Sequence, residues 1–364
     1  MPIKRLSINH LRNIDQIEFV ASPSLNLFYG ENGAGKTSIL EAINLLSLGR
    51  SFRHRSPKPL ISYHQKELVV FAEVGDRESH TRRLGVQKNA AGENLIHIDG
   101  KTAKSAAQLA EVLPILNLNS QSFELLQGPP KPRRQLLDWL TFHVEPSFLG
   151  VWKELQNCLK QRNSLLRSDK IRPLELDSWD RQLTDLTEKI DSFRSNAFEC
   201  FAEALAQLGA LLPDVGEVTL RYKKGWPLDQ EFKDVLAQQR AHDALRGFTQ
   251  AGPHRADLAI KADGQAAADA LSRGQSKIVI AAMIIALARA FTNRTNSACT
   301  LLVDDLPSEL DERHRQRVGS WLKELGAQLF VTAVDKAPLT EMWPQDFTES
   351  AKLFHVKQGR IEIV

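Results

Sequence analysis

Residues 30–37 read Gly30-Glu31-Asn32-Gly33-Ala34-Gly35-Lys36-Thr37, a full match to the phosphate-binding loop pattern G-x-x-x-x-G-K-[ST]. No other stretch restricts the fold as much, because this loop works only between a strand and a helix. Its glycines let the backbone turn tightly and aim N–H groups at a phosphate. Lys36 can reach the β- and γ-phosphates as a mobile point charge, and the Thr37 hydroxyl can join the shell of a Mg²⁺ ion. The flanks fit: Leu25–Tyr29 reads as a short strand and 38–46 as a helix with one apolar stripe. That helix would turn the positive end of its dipole toward the phosphates. The expected ligand is ATP with Mg²⁺, held by Gly30, Glu31, Asn32, Gly33, Ala34, Gly35, Lys36, Thr37 and Ser38.

A second half of the site lies far along the chain. Thr300–Val303 is an apolar strand followed by Asp304 and Asp305. Asp304 at a strand tip is placed to hold Mg²⁺, and Asp305 to orient or deprotonate an attacking water. The segment Leu271-Ser272-Arg273-Gly274-Gln275 precedes a helical pattern. Ser272 can simply cap that helix. Leu-Ser-x-Gly-Gln also resembles the signature of ATP-binding-cassette enzymes. There a serine hydroxyl, a glycine N–H and a helix N-terminus clamp the γ-phosphate of a nucleotide held by a second subunit. On that reading Ser272, Gly274 and Gln275 act in trans, and two copies close head to tail around two ATPs with C₂ symmetry. Ser308-Glu309-Leu310-Asp311 matches the D-loop of the same superfamily, which lies along that seam.

Periodicity supplies the frame. Residues 3–21 alternate as a pair of strands around Leu11-Arg12-Asn13-Ile14, and 68–74 and 82–98 read as further strands, with Asp99-Gly100 marking a turn. From about 133 to 212 the pattern is helical. Leu149, Trp152, Leu155 and Leu159 form one stripe. Trp179, Leu183, Leu186, Ile190, Phe193, Ala197, Phe201, Leu205, Leu208 and Leu212 form a longer one with coiled-coil spacing. A polar turn at 168–177 joins them into an expected antiparallel helical hairpin. The last hundred residues alternate helix (276–293, 313–326) with strand (300–303, 328–332) and end in a hairpin over 353–364. The fold class is therefore α/β, a P-loop ATPase head of the cassette type. It combines a mixed-sheet core and an antiparallel β subdomain, interrupted by a short coiled-coil insertion. The expected parts are 1–130 with the phosphate loop, 131–245 as the helical insertion, and 246–364 with the signature and the acids.

Composition excludes little more. The chain has 364 residues and is 42% apolar, enough for two domains and a sizeable core. It has no run of about 18 apolar residues, and the longest candidate, 278–290, contains Arg289, so neither a membrane span nor a membrane partner is expected. No secretory signal is visible, and Cys158, Cys200 and Cys299 are isolated, which points to a reducing cytoplasm. A net charge of +3 does not by itself indicate nucleic acid. Arg50, Arg53, His54, Arg55 and Lys58 nevertheless cluster in one loop, and Lys131, Arg133 and Arg134 in another. Such patches neutralise phosphates, pair with acids, or remain solvated.

The chain as a whole resembles the RecF family, bacterial recombination mediators related to the SMC heads. The resemblance rests on Leu11-Arg12-Asn13-Ile14, the loop 30–37, Gly49-Arg50-Ser51-Phe52-Arg53, and Arg133-Arg134-Gln135-Leu136-Leu137-Asp138. It continues through Gly252-Pro253-His254-Arg255-Ala256-Asp257, Ser272-Arg273-Gly274-Gln275 and Val303-Asp304-Asp305. It implies a weak DNA-dependent ATPase that forms an ATP-dependent homodimer on double-stranded DNA and on junctions with single strands. Such a protein acts with RecR and RecO to load recombinase at gaps. It further implies Arg12 as a nucleotide contact or a DNA contact, and Gln121 as a Q-loop residue near Mg²⁺ or a solvated loop glutamine. Thr332 falls where many cassette enzymes place a switch histidine. His254 and Arg255 read as seam contacts or as a satisfied polar cluster. Asp305 replaces the superfamily's usual glutamate and is one methylene shorter, so slow hydrolysis is expected. Two rivals fit less well. A transporter ATPase subunit would carry the histidine and the glutamate, and an architectural SMC-like head would need arms longer than 149–212.

Overall fold

The computed structural model describes residues 2–53, 56, 58–75, 81–168, 172–209, 212 and 214–364. His54 and Arg55 of the first basic cluster, and the side chains of Ser308 and Glu309 in the expected D-loop, lie outside the described residues. In chain order the strands are β1 (Ile3–Leu11), β2 (Ile14–Val20), β3 (Leu25–Tyr29), β4 (Glu67–Val74), β5 (Arg82–Asn89), β6 (Asn94–Ile98), β7 (Lys101–Thr102), β8 (Ile115–Leu118), β9 (Val218–Lys223), β10 (Asp257–Ala262), β11 (Gln265–Ala266), β12 (Thr300–Val303), β13 (Gln328–Ala333), β14 (Lys352–Lys357) and β15 (Arg360–Ile363). The chain divides into two compact units, one of Met1–Ser122 with Ile280–Val364, the other of Phe123–Val279.

The first unit contains two six-stranded sheets. One has the order β2-β1-β4-β5-β6-β7 and is antiparallel throughout. Its strands alternate buried and exposed residues, as a sheet with one covered face requires. Asp99 (φ 52°) and Gly100 (φ 77°) make a two-residue hairpin turn with both centres left-handed. The other sheet has the order β15-β14-β3-β13-β12-β8, with every pair parallel except the β14–β15 edge. All four residues of β12 and all six of β13 are buried, the continuous apolar run of a parallel strand covered on both faces. The expected C-terminal hairpin is present, and β14 also pairs with β3, which builds it into the central sheet. Phe28 stacks on Phe354 at 4.8 Å within that core.

The helix Lys36–Leu48 follows the phosphate loop. It does not show the single apolar stripe expected of it. Eleven of its 13 residues are buried, because it packs against β1, β4, β5 and β13 from both sheets. Two of its buried polar residues find partners within the protein: Glu41 in Arg12 and Ser51, and Asn44 in the Arg50 carbonyl at 2.8 Å and the Asn117 side chain at 2.9 Å.

The second unit is built from the helices Pro130–Val144, Phe148–Leu166, Pro173–Gly209 and Phe232–Arg246, with the sheet β11-β10-β9. The long stripe is buried at Leu183, Leu186, Ile190, Ala197, Phe201, Leu205 and Leu208, and packs with Leu155, Cys158 and Leu159 of the preceding helix. Trp179, Phe193 and Trp152 are only partly covered. The expected hairpin therefore forms, with Phe232, Val235 and Leu236 of the fourth helix against it. The long helix starts at Pro173, inside the stretch read as a turn, because proline suits a first helical position. Within this bundle lies a charge cluster that apolar periodicity does not reveal. Arg162 is fully buried and bonds Asp180 at 2.6 Å, Asp243 at 2.7 Å and Thr249 at 2.8 Å. Removing one partner from such a buried cluster costs about 3–5 kcal/mol, because the other charge is left unpaired.

This unit continues past the boundary expected at 245/246, because β10 pairs along its whole length with β9 and Asp257 takes both ends of the Arg133 guanidinium, at 2.7 and 3.1 Å. Arg134 donates to the Ala256 carbonyl at 2.8 Å. Of the readings open for the second basic cluster, internal pairing holds for Arg133 and Arg134, and Lys131 stays exposed. His254 bonds the Thr249 carbonyl through Nε2 at 3.0 Å, while its Nδ1 is buried without a hydrogen-bond partner, and Arg255 is exposed with its guanidinium 5.7 Å from the Phe248 ring.

The helix Arg273–Thr295 is long and apolar enough to cross a membrane by length and composition, with a mean hydropathy of 1.5 over its best window. Since 78% of that window is buried within the protein, it is a core helix. Burial pushes the thiol of Cys158 up to about 11 and that of Cys299 up to about 12, which makes both poor nucleophiles.

Burial also pushes His143 and His254 down to about 4. Unfolded histidine titrates near 6.5, so between about pH 6.5 and 4 the unfolded chain binds more protons and stability falls as the pH drops. Each histidine contributes about 3 kcal/mol to this loss. Thermal denaturation between pH 7 and 4 should therefore show a steep decline, and H143Q with H254Q should flatten it. An unchanged slope in the double variant would contradict the burial argument.

Candidate nucleotide-binding site

The phosphate loop leaves β3 at Tyr29, between β14 and β13. Gly30 (φ 153°) bonds the Val334 carbonyl at 3.1 Å, and a Cβ there would lie 2.1 Å from the Val356 oxygen. Gly33 (φ 79°) faces open space. Asn13 fastens the loop from the β1–β2 turn. Its amide donates to the Gly33 carbonyl at 2.9 Å, and its oxygen accepts from the Ser38 hydroxyl at 3.2 Å. From the other side the Gly359 N–H donates to the Ala34 carbonyl at 2.8 Å. The loop is thus tied to two β-turns distant in sequence, and neither tie was visible as a motif. A cavity of about 320 Å³ lies beside it, lined by residues 31–34 and 355–358.

Lys36 is nearly buried and folds back onto the loop, donating to the carbonyls of Gly30 at 2.6 Å and Glu31 at 3.0 Å. Desolvation lowers its pKa, opposed by the charges of Asp305, Asp304 and Asp335. Asp335 is a residue the sequence reading missed. It immediately precedes the helix Lys336–Glu341 without capping it through its side chain, and only the parallel sheet brings it near the lysine.

Asp304 follows β12 and accepts on Oδ1 from Thr37 at 3.1 Å and from Thr332 at 2.7 Å. Burial raises its pKa, and these two hydroxyls, with the Arg53 charge, oppose the rise. Asp305 has a left-handed backbone (φ 56°), and its N–H donates to the Thr332 hydroxyl at 3.0 Å and carbonyl at 3.1 Å. A non-glycine residue in this region carries strain of about 1–3 kcal/mol and is held by its surroundings. Thr37 and Asp304 present a hydroxyl and a carboxylate side by side, hard oxygen donors that fit Mg²⁺. Among the described residues no group of three or more His, Cys, Asp or Glu could cage a metal.

Arg12 (φ 55°) bonds Glu41 through Nε and, at 3.0 Å, through Nη2, and its side chain is 18% exposed. Gln121 is exposed on a short turn after β8, where its N–H bonds the Asn119 side chain at 3.0 Å. Arg53, Arg50 and Lys58 are exposed. Ser272 and Gln275 lie in the second unit and form a reciprocal capping box. The Gln275 N–H donates to the Ser272 hydroxyl at 3.3 Å, and the Ser272 N–H to the Gln275 side-chain oxygen at 2.9 Å. Gly274 faces open space.

A glycine loop on a parallel sheet, its lysine among carboxylates, and a buried strand tipped by two acids define a P-loop nucleotide-binding head. Residues 2–362 match the model of the RecF/RecN/SMC N terminal domain. A DNA replication and repair protein RecF from Cellvibrio japonicus is 44% identical over 361 residues, covering 99% of each chain. The chain belongs to the RecF family. Among solved structures, the recombination mediator protein RecF with ATP aligns with a TM-score of 0.87 at 23% identity, over 100% of this chain and 97% of that one. An SMC head bound to the C-winged helix domain of ScpA aligns at 0.60 with 16% identity, over 100% and 97%. These two likenesses support the head fold.

The loop geometry separates its glycines. Gly30→Ala should force β14 away from the loop and lower the urea midpoint strongly. Gly33→Ala meets no atom and should cost only the left-handed strain of about 1–2 kcal/mol. Equal losses in urea titrations would show that the Val356 contact does not constrain the loop.

Proposed function

We propose that the chain is an ATP-dependent DNA-binding protein of recombinational repair and replication-fork maintenance. The observation that carries the proposal is the meeting of Lys36, Thr37, Asp304 and Asp305 at one edge of the parallel sheet. On release of its loop carbonyls, Lys36 can turn to the β- and γ-phosphates while the loop N–H groups take the rest. Thr37 and Asp304, with Gln121 as a further candidate, would hold Mg²⁺, which would neutralise charge on the phosphates. Asp305 orients the water. Arg12 joins the nucleotide site by turning part of its guanidinium from Glu41.

The γ-phosphate is clamped in trans by Ser272, Gly274 and Gln275 of a second copy. ATP therefore favours the dimer by mass action, and hydrolysis opens it. The two parts of the ATPase head are separated in sequence by the helical block. Duplex DNA and its junctions with single strands are the expected nucleic-acid partners. The exposed Arg50, Arg53 and Lys58 are better placed to meet phosphates than Arg133 and Arg134, which are used internally. Family membership supports a cytoplasmic role beside RecO and RecR in loading recombinase at gaps.

Sedimentation with and without ATP, with and without duplex DNA, tests this reading. Wild type should double its mass with ATP, and Ser272→Arg should stay monomeric while still binding nucleotide. A wild type that remains single at saturating non-hydrolysable ATP, even on DNA, would overturn the proposal. Single-turnover hydrolysis should fall well below about 100 s⁻¹, the fast end for phosphoryl transfer. A rate at that limit would exclude a handicap from the short Asp305 side chain.

A further inference from the structure

Thr332 occupies the middle of the sheet and is fully buried. It cannot meet a phosphate at the surface as a switch histidine would. A hydroxyl has one proton and two acceptor positions. Thr332 gives its proton to Asp304 Oδ1 at 2.7 Å and accepts the Asp305 N–H at 3.0 Å. The result is a chain from the Asp305 peptide through the Thr332 hydroxyl to the Asp304 carboxylate, in a low-dielectric setting where successive bonds polarise one another. One end is a desolvated acid whose pKa is raised by burial. The other is a peptide held in the left-handed region at φ 56°.

We infer that Thr332 is a positioning residue that fixes both acids through one hydroxyl. Its donated bond, with that of Thr37, occupies Oδ1 and sets the rotation of the Asp304 carboxylate. Its accepted bond holds the strained peptide from which the Asp305 side chain springs. This inference rests on the Mg²⁺–ATP reading above. In place of a side chain that touches the γ-phosphate, this head then has a buried hydroxyl that aligns the two acids from behind.

The test compares wild type with T332V, T332A and T332S. Three quantities are measured: affinity for a fluorescent ATP analogue without Mg²⁺, the Mg²⁺ concentration for half-maximal hydrolysis, and kcat separately from KM. T332V and T332A should keep Mg²⁺-free affinity and KM, while the Mg²⁺ requirement rises or kcat falls by about 10- to 100-fold, as for other partners of metal-binding carboxylates. T332S, which keeps the hydroxyl, should stay close to wild type. Should T332V fail to fold, the T332A and T332S pair decides, because those variants differ only by the hydroxyl. The inference is overturned if the hydroxyl-free variants match wild type, if T332S is as impaired as T332A, or if Mg²⁺-free affinity falls in step with kcat. A wild type without Mg²⁺-dependent ATP binding would sink the nucleotide reading itself, and the role of Thr332 with it.

Discussion

Parallel pairing of β3, β13 and β12 is the constraint on which the site depends. Val303 lies opposite Val331, and Thr332 opposite Phe28. This register sends Asp304 off one strand beside Thr332 on the next, with the phosphate loop leaving the third at the same edge. Ligand sites on open α/β sheets form at such carboxyl ends. Side chains alternate faces along a strand, so a slip of one residue in β13 would turn the Thr332 hydroxyl away from Asp304. The wholly buried sequence of β13 is tied at Gln328, which bonds the main chain of Ile3 and Ser22, and these bonds discriminate against such a slip.

In each of its two units the protein buries charge in matched groups. Glu41 is fully buried in the helix that follows the loop, and Arg12 answers it from the β1–β2 turn. Arg162 meets Asp180 and Asp243 in the other unit. Such groups add little net stability over apolar replacements of equal shape, but each is costly to break singly. Arg12 bound to Glu41 and Asn13 bound to Gly33 are neighbours in one turn. That turn therefore holds both the helix and the loop before any ligand arrives.

Much of this was legible in the sequence. The loop 30–37, the apolar strand before Asp304, and the alternation of β1, β2 and β4 follow from short-range spacing. So does the long stripe from Leu183 to Leu208. What spacing could not give are pairings between distant segments. Asn13, Asp335 and Gly359 reach the site only through the sheets. Whether Arg133 and Arg134 meet phosphates or pair internally stayed open in the sequence, because Asp257 and Ala256 lie more than a hundred residues away. The helix after the loop seemed amphipathic because Glu41 and Asn44 are polar, yet their partners allow them to be buried. The second unit runs on past 245/246 for the same reason, since β10 finds its neighbour in β9.

The capping box of Ser272 and Gln275 carries a consequence of its own. As the acceptor from the Gln275 N–H, the serine oxygen keeps its own proton for an outside acceptor. An incoming anion would thus find the first turn of the helix Arg273–Thr295 already wound. Engagement would add one bond without undoing another.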